Sequence, residues 1–473
     1  MSKHKIHFDF PGRIIMVGCG SIGQGVLPLI LRHVGTSADR ISIVTKDDRG
    51  SEAARALGVK FEKHSLTPEN YRRILTPMLG RGDFLVNVSV DVSSLALIRL
   101  CWERGAMYLD TCIEPWAGGY TDPATPIAKR TNYALREEAL ALKAGNERAP
   151  TAVITHGANP GLVSHFVKQA MLNIAKDCGV DVAVPANRAD WAALARKLAV
   201  SVVHIAERDT QLSTVRKQPG EFVNTWSIDG FVSEGSQPAE LGWGTHERHF
   251  PRDARRHDFG RGSAIYLMQP GAATRVRTWT PKAGHIHGWL ITHGESISIS
   301  DYFTVRDGAQ VVYRPTVHYA YHPCDDAVLS LHEFAGNNWQ LQAKQRLLMS
   351  EIPPGGIDEL GVLLAGHARN AYWYGSQLSI DEARTLVPYN NATSLQVTVA
   401  VLSGMICAME SPNSGLLEPD ELDYKRNLEI CNPYLGPVVG AYTDWTPLTE
   451  RERLFPEDID TSDPWQFKNV RVI

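Results

Sequence analysis

Gly12-Arg-Ile-Ile-Met-Val-Gly18-Cys-Gly20-Ser-Ile-Gly23-Gln-Gly25 sets a short apolar strand, Ile14–Val17, directly before Gly18-x-Gly20-x-x-Gly23 and a helical run, Val26–His33. A bare glycine triplet is a weak signal. With a strand before it and a helix after it, the stretch reads as a dinucleotide-binding fingerprint. The first glycine permits a tight turn, and the second lets the backbone approach a pyrophosphate. The third allows close helix–strand packing, while the helix N-terminus offers N–H donors to phosphate. Gly18, Gly20, Ser21, Ile22 and Gly23 are therefore the expected cofactor loop. The next strand, Arg40–Val44, ends in Thr45-Lys46-Asp47-Asp48. An acid at this point accepts hydrogen bonds from adenosine ribose hydroxyls, as NAD requires. Asp47 and Asp48 are both candidates; Lys46 and Arg49 leave NADP open, and a solvated charged turn is the alternative.

Outward from this stretch the pattern alternates. Strands are expected at Ile14–Val17, Ile41–Val44, Phe84–Val88, Met107–Asp110 and Ala152–Thr155, with helical runs between them, so the sheet is parallel and doubly wound. Ligands on such sheets sit beyond the C-terminal strand ends. That directs attention to Asn87–Asp91, to Asp110–Glu114 and to His156–Gly161. After about residue 160 the texture changes to shorter strands, at Val200–Ala206, Phe222–Ile228, Ala264–Met268, Arg275–Thr280, Gly288–Ser300 and Gln310–Tyr319, expected to be antiparallel. The fold class is α/β, a Rossmann domain followed by an α+β domain with a mixed or antiparallel sheet. Its expected divisions are residues 1–157, 158–390 and 391–473. The last begins with an apolar helix, Ala392–Met409, returning to the first domain, and ends in a surface-wrapping tail from Asn413.

The 473 residues carry a formal net charge of −4, with 43% hydrophobic and 21% charged residues. Such a balance gives no electrostatic case for nucleic acid or anionic membranes. Seven cysteines without a Cys-x-x-Cys suggest neither a disulfide framework nor a zinc ribbon. His246-Glu247-Arg248-His249 lacks the spacing of a metalloprotease motif, and no metal is expected. No signal-peptide-like or membrane-spanning run is evident, so a cytoplasmic location is expected.

His156-Gly157-Ala158-Asn159-Pro160-Gly161 follows a strand and opens a helix. With the Rossmann start and the late apolar helix, it resembles the saccharopine dehydrogenase-like superfamily. Within that group the chain is most similar to the bacterial homospermidine synthases. The likeness is carried by Val17–Gly23, Asp110-Thr-Cys-Ile-Glu-Pro-Trp116, His156–Gly161, Asn224-Thr-Trp-Ser227 and His293-Gly-Glu295. What the resemblance implies is an NAD-dependent aminobutyltransferase acting on polyamines. It would oxidise putrescine to an imine, exchange the amine with a second putrescine, and re-reduce with the same cofactor to sym-homospermidine, releasing ammonia. Spermidine would serve as an alternative donor, releasing 1,3-diaminopropane. A homodimer joined through the second domain is also implied, hinted at by apolar strand positions after residue 260. A saccharopine or carboxynorspermidine dehydrogenase is the enzymatic alternative.

A diamine is a dication at neutral pH, so its pocket needs carboxylates, an aromatic face and a proton acceptor. Asp91, Glu114, Glu234 and Asp358 are the candidate substrate-binding acids. Three have a plain alternative: helix capping for Asp91, and solvation in Gly-flanked loops for Glu234 and Asp358; Glu114, in a strand-end loop before Pro115-Trp116, is better placed for function. Glu207, in the charge run Ala206-Glu-Arg-Asp209, is a candidate catalytic carboxylate or a solvated face. Trp226 is read as an aromatic wall for an ammonium, or as the core face of a strand. His293 is a candidate proton relay. His156 and Asn159 are expected near the nicotinamide end, with Asn159 and Thr111 among the cofactor contacts.

Overall fold

The computed structural model describes residues 4–473. Its first sheet has seven parallel strands. Ile14–Val17 lies between Ile41–Thr45 and Phe84–Asn87, and Lys60–Lys63 closes one edge. Met107–Asp110, Ala152–Val153 and Leu416–Leu417 extend the other. Ile14–Val17, Phe84–Asn87 and Met107–Asp110 are buried along their whole length, as strands covered by helices on both faces must be.

The second sheet has eleven strands and is mixed. Its centre is Val202–Asp209, paired in parallel with Thr316–His322 and antiparallel with the hairpin strand Ile357–His367. This corrects the antiparallel expectation, because Thr316–His322 returns beside Val202–Asp209 only after a long excursion through other strands. The expected strand Gly288–Ser300 is also corrected. A strand, Gly284–Trp289, ends there, and a helix, Gly294–Tyr302, begins. Ser296–Tyr302 are all buried; Ile297 packs into one apolar cluster and Ile299 into another. An Ile-x-Ile spacing that looks like a strand here places side chains on two opposite faces of a helix.

The apolar helix is Ala392–Glu410. It is long and apolar enough to cross a membrane, yet it is buried within the fold. One side packs on the first helix, Ser21–His33, and on the strands Met107–Asp110 and Ala152–Val153. Gln396 Nε2 donates to the Asp358 carbonyl and to Ser376 Oγ of the large sheet. The helix thus joins both sheets in one apolar core. The tail after Asn413 does not merely wrap the surface, because its apolar side chains are needed inside. Leu416–Leu417 enters the first sheet, Val438–Thr443 edges the second, and Phe467 and Val470 are core residues. The apolar strand positions after residue 260, including Ile265, Leu267 and Val276, are likewise consumed by this chain's own core.

Candidate active site

The glycine loop has the geometry its sequence demands. Gly18 has φ +94°, and a side-chain carbon there would fall 2.7 Å from the Val88 carbonyl oxygen. At Gly23 such an atom would meet the Gly18 carbonyl at 2.8 Å, the close helix–strand approach expected of the third glycine. Gly20 faces open space at the mouth of a cleft of about 520 Å³. Gly18, Gly20, Ser21, Ile22 and Asp47 line this cleft, and Ser227–Asp229 reach it from the second domain. Asp47 is held below the usual carboxylate range: burial raises it, and hydrogen bonds from Arg49 more than offset that. Asp48 turns away to Lys63, 2.6 Å distant. Thr111 lies beside Gly157, outside the cleft lining.

A second constellation is built on one face of the large sheet. Glu207 and Asp209, two apart on a central strand, share a face. Asp358 is registered opposite Asp209 on the next strand, and Tyr321 beside Glu207. Glu207 is not a solvated charge but 2% exposed, because Val202–Asp209 is an interior strand. Asp358 is fully buried in a strand rather than in a loop, and among the described residues neither of its carboxylate oxygens has a hydrogen-bond partner. Asn159 Nδ2 donates to Glu207 Oε2 at 3.0 Å, and the Tyr319 hydroxyl donates to the same oxygen. Asp209 accepts from Thr225 Oγ1 at 2.6 Å and from the Gln211 backbone at 2.8 Å. No ion pair to Lys or Arg reaches Glu207, Asp209 or Asp358 among the described residues. Burial, then the Asp209 charge, pushes Glu207 up to about 7 against the pull of its hydrogen bonds. Burial and then the Glu207 and Asp209 charges raise Asp358 well above its ordinary value.

His293 continues this network. Its ring lies 4.4 Å from that of Tyr319, with Nε2 3.0 Å from Glu234 Oε2 and Nδ1 3.2 Å from Glu295 Oε1. Burial alone would lower its pKa, but the two glutamates outweigh it and raise the imidazole to about 10. Glu234 lies in the helix Ile228–Ser236, not in a loop, and only part of it reaches solvent. That helix starts at Ser227, whose hydroxyl caps Gly230 N. Trp226 therefore sits just before a helix rather than on a strand. Its Nε1 donates to the Tyr321 hydroxyl at 3.1 Å, and its ring lies 5.3 Å from Phe231.

Glu114 is buried and pushed up to about 8 by burial, despite a hydrogen bond from Asp91 N; Glu234, Asp91 and Asp110 raise it further. Asp91 lines the nucleotide cleft with φ +65°, and helix capping falls to Ser93, whose hydroxyl accepts from Ala96 N. His156 is corrected: it is fully buried, bonded to the Ala400 carbonyl and to His165, because the apolar helix covers it. Asp209, Glu295, Tyr319 and Tyr321 join the site without having been singled out. The repeated spacings Glu207-x-Asp209 and Tyr319-x-Tyr321 were the available signal, since both place polar groups on one strand face.

A glycine-lined dinucleotide cleft, with a buried cluster of acids and aromatic rings in the second domain, defines a nucleotide-dependent enzyme of the saccharopine dehydrogenase type. Family models agree: the saccharopine dehydrogenase NADP binding domain matches residues 14–154, and the saccharopine dehydrogenase C-terminal domain matches residues 157–443. Homospermidine synthase of Blastochloris viridis is 56% identical over 476 residues, covering 100% of both chains. That of Mesorhizobium japonicum is 51% identical, covering 99% of this chain and 98% of its own. The crystal structure of homospermidine synthase from Legionella pneumophila in complex with NAD superposes with a TM-score of 0.93 at 50% identity, covering 100% of both chains. The chain belongs to the homospermidine synthase family.

Proposed function

We propose that this chain makes sym-homospermidine from two putrescines, or from spermidine and putrescine, with NAD as a recycled cofactor. The observation that carries the reading is the buried carboxylate set Glu207, Asp209 and Asp358, which among the described residues forms no ion pair with Lys or Arg and is eased only at a distance by the charges of His293 and Arg208. Buried acids in such a group must either hold protons or receive a cation. A diammonium substrate supplies that cation. A carboxylate-bearing substrate, as in the dehydrogenase alternative, would need Arg or Lys at this place.

The open face at Gly20 and the cleft beyond it fit NAD, with Asp47 at the ribose end. Bound NAD supplies reversible removal of hydrogen from an amine-bearing carbon and its return, so no net redox change results. Glu207, poised near 7, takes a proton from the reacting ammonium and gives it back, held in place by Asn159 and Tyr319. Asp358 holds the distal ammonium, and Trp226 offers an aromatic wall beside it, a contact of roughly 0.5–2 kcal/mol. His293, kept cationic by Glu234 and Glu295, fixes the position of Glu234. Glu114 and Asp91 receive the outer amine of the second substrate.

We also read residues 1–157 as the cofactor domain, 158–390 as the substrate domain and 391–473 as the joining segment. The family relationship supports a homodimer, and a cytoplasmic location fits the compartment where free polyamines and NAD meet. Incubation with putrescine and catalytic NAD, followed by mass detection, tests the reaction. Homospermidine and ammonia without accumulating NADH support it; stoichiometric NADH with no homospermidine overturns it.

A further inference from the structure

One acid of the second domain has no role in the reading above. Asp229 lies in the first turn of the helix Ile228–Ser236 and lines the nucleotide cleft opposite the glycine loop. Its Oδ2 is 3.6 Å from the Arg49 guanidinium and 3.9 Å from Lys46 Nζ, across the adenosine end of the cleft. Arg49 is simultaneously 2.9 Å from Asp47. Two cations from one domain and two carboxylates, one from each domain, thus form a neutral bridge over the cleft. The helix carrying Asp229 is anchored by Phe231, which packs on Phe222 and Tyr321, and is immediately preceded by Trp226.

Two consequences follow from charge. The bridge ties the second-domain wall of the cleft to the Lys46–Arg49 wall, so breaking it loosens the hold of the two walls on a bound nucleotide. It also occupies Lys46 and Arg49, the only lysine and arginine lining this cleft among the described residues. A 2′-phosphate on the ribose would need those cations. We propose that Asp229 is a cofactor-retaining and cofactor-selecting residue, delivered from the substrate domain, that holds NAD in the cleft and denies Lys46 and Arg49 to NADP. This rests on the reading that the cleft takes NAD.

Asp229→Asn removes one of the two negative charges while leaving shape and helix intact. For partly exposed ion pairs the expected effect is about fivefold. NADH release, followed by fluorescence in stopped flow, should quicken about fivefold. The NADP-to-NAD affinity ratio should rise by about the same factor, and Asp229→Glu should restore both. Release from the unsubstituted protein should also accelerate with added salt more steeply than release from Asp229→Asn. Should Asp229→Asn fold poorly, Lys46→Gln with Arg49→Gln opens the bridge from the other side: release should quicken with no gain in NADP affinity. Unchanged release and an unchanged nucleotide ratio in Asp229→Asn, with tight NAD binding by the unsubstituted protein, would overturn the proposal. An unsubstituted protein binding neither nucleotide would instead refute the cofactor reading, and the proposal with it.

Discussion

Replacing Glu207 with glutamine separates the cost of a buried carboxylate from its use. In the folded protein Glu207 keeps its proton up to about 7, whereas an ordinary glutamic acid loses it at 4.5. Between those values the unfolded chain ionises and the folded one does not. Stability from this group is therefore fully present below 4.5 and falls as pH rises to about 7. At about 1.4 kcal/mol per pH unit, the folded state carries a penalty of about 3 kcal/mol at pH 8. The amide introduced by Glu207→Gln carries no such charge. Its one oxygen, placed where Glu207 Oε2 stands, still accepts the Asn159 and Tyr319 hydrogen bonds, but the N–H₂ is left unpaired, costing about 1 kcal/mol. The variant without substrate should be about 2 kcal/mol more stable than the parent at pH 8, and no more stable at pH 4.5. For a chain of 473 residues melting as one unit, that is roughly 2 °C in Tm. Turnover at pH 8 should drop by roughly 10²–10⁴, since the proton acceptor is gone. Thermal melts across pH, alongside a putrescine turnover assay, read both effects. A variant that is no more stable at pH 8, or that turns over like the parent, refutes the assignment of Glu207 as a buried, poised base.

Three further substitutions probe the rest of the site. Trp226→Phe should keep part of the activity and Trp226→Ala should lose most of it without unfolding; equal, parent-like turnover in both removes the cation–π role. Glu295→Gln withdraws one of the two carboxylates that raise His293 to about 10. The alkaline limb of the pH–rate profile should then move down, and an unmoved limb would show that Glu295 does not govern His293. Gly18→Ala forces a side-chain carbon to within 2.7 Å of the Val88 carbonyl at φ +94°. NAD binding should fall at least tenfold by calorimetry, while parent-like affinity would contradict the turn geometry.

The first sheet was legible because its information is local. Ile14–Val17 appears with the bounds its apolar run suggested, and the glycine spacing fixes the turn after it. The large sheet was harder to read because its meaning lies in register. Asp358 sits 149 residues beyond Asp209, and nothing in either neighbourhood says that the two face each other. In the sequence Glu207 reads equally as part of a solvated charged face, since Arg208 and Asp209 follow it. Only its place at the centre of a sheet turns the same three residues into two buried acids and one outward arginine. The misread Gly288–Ser300 has a different cause: a helix buried on all sides shows no polar face, and its isoleucine spacing then imitates a strand. Tyr319 and Tyr321 are hard to recognise as site residues in the sequence, because aromatic residues on strands usually fill cores.

The strand Leu416–Leu417 at the edge of the first sheet has a consequence for biogenesis. On the ribosome, residues 14–154 emerge long before the segment that completes their sheet and before the helix Ala392–Glu410 that covers it. Until roughly the last tenth of the chain is made, the Leu-, Ile- and Val-rich back of the nucleotide-binding half is left bare. The packing of the nucleotide-binding half is thus completed only when these late segments arrive, and the apolar surface they cover is an aggregation hazard until then.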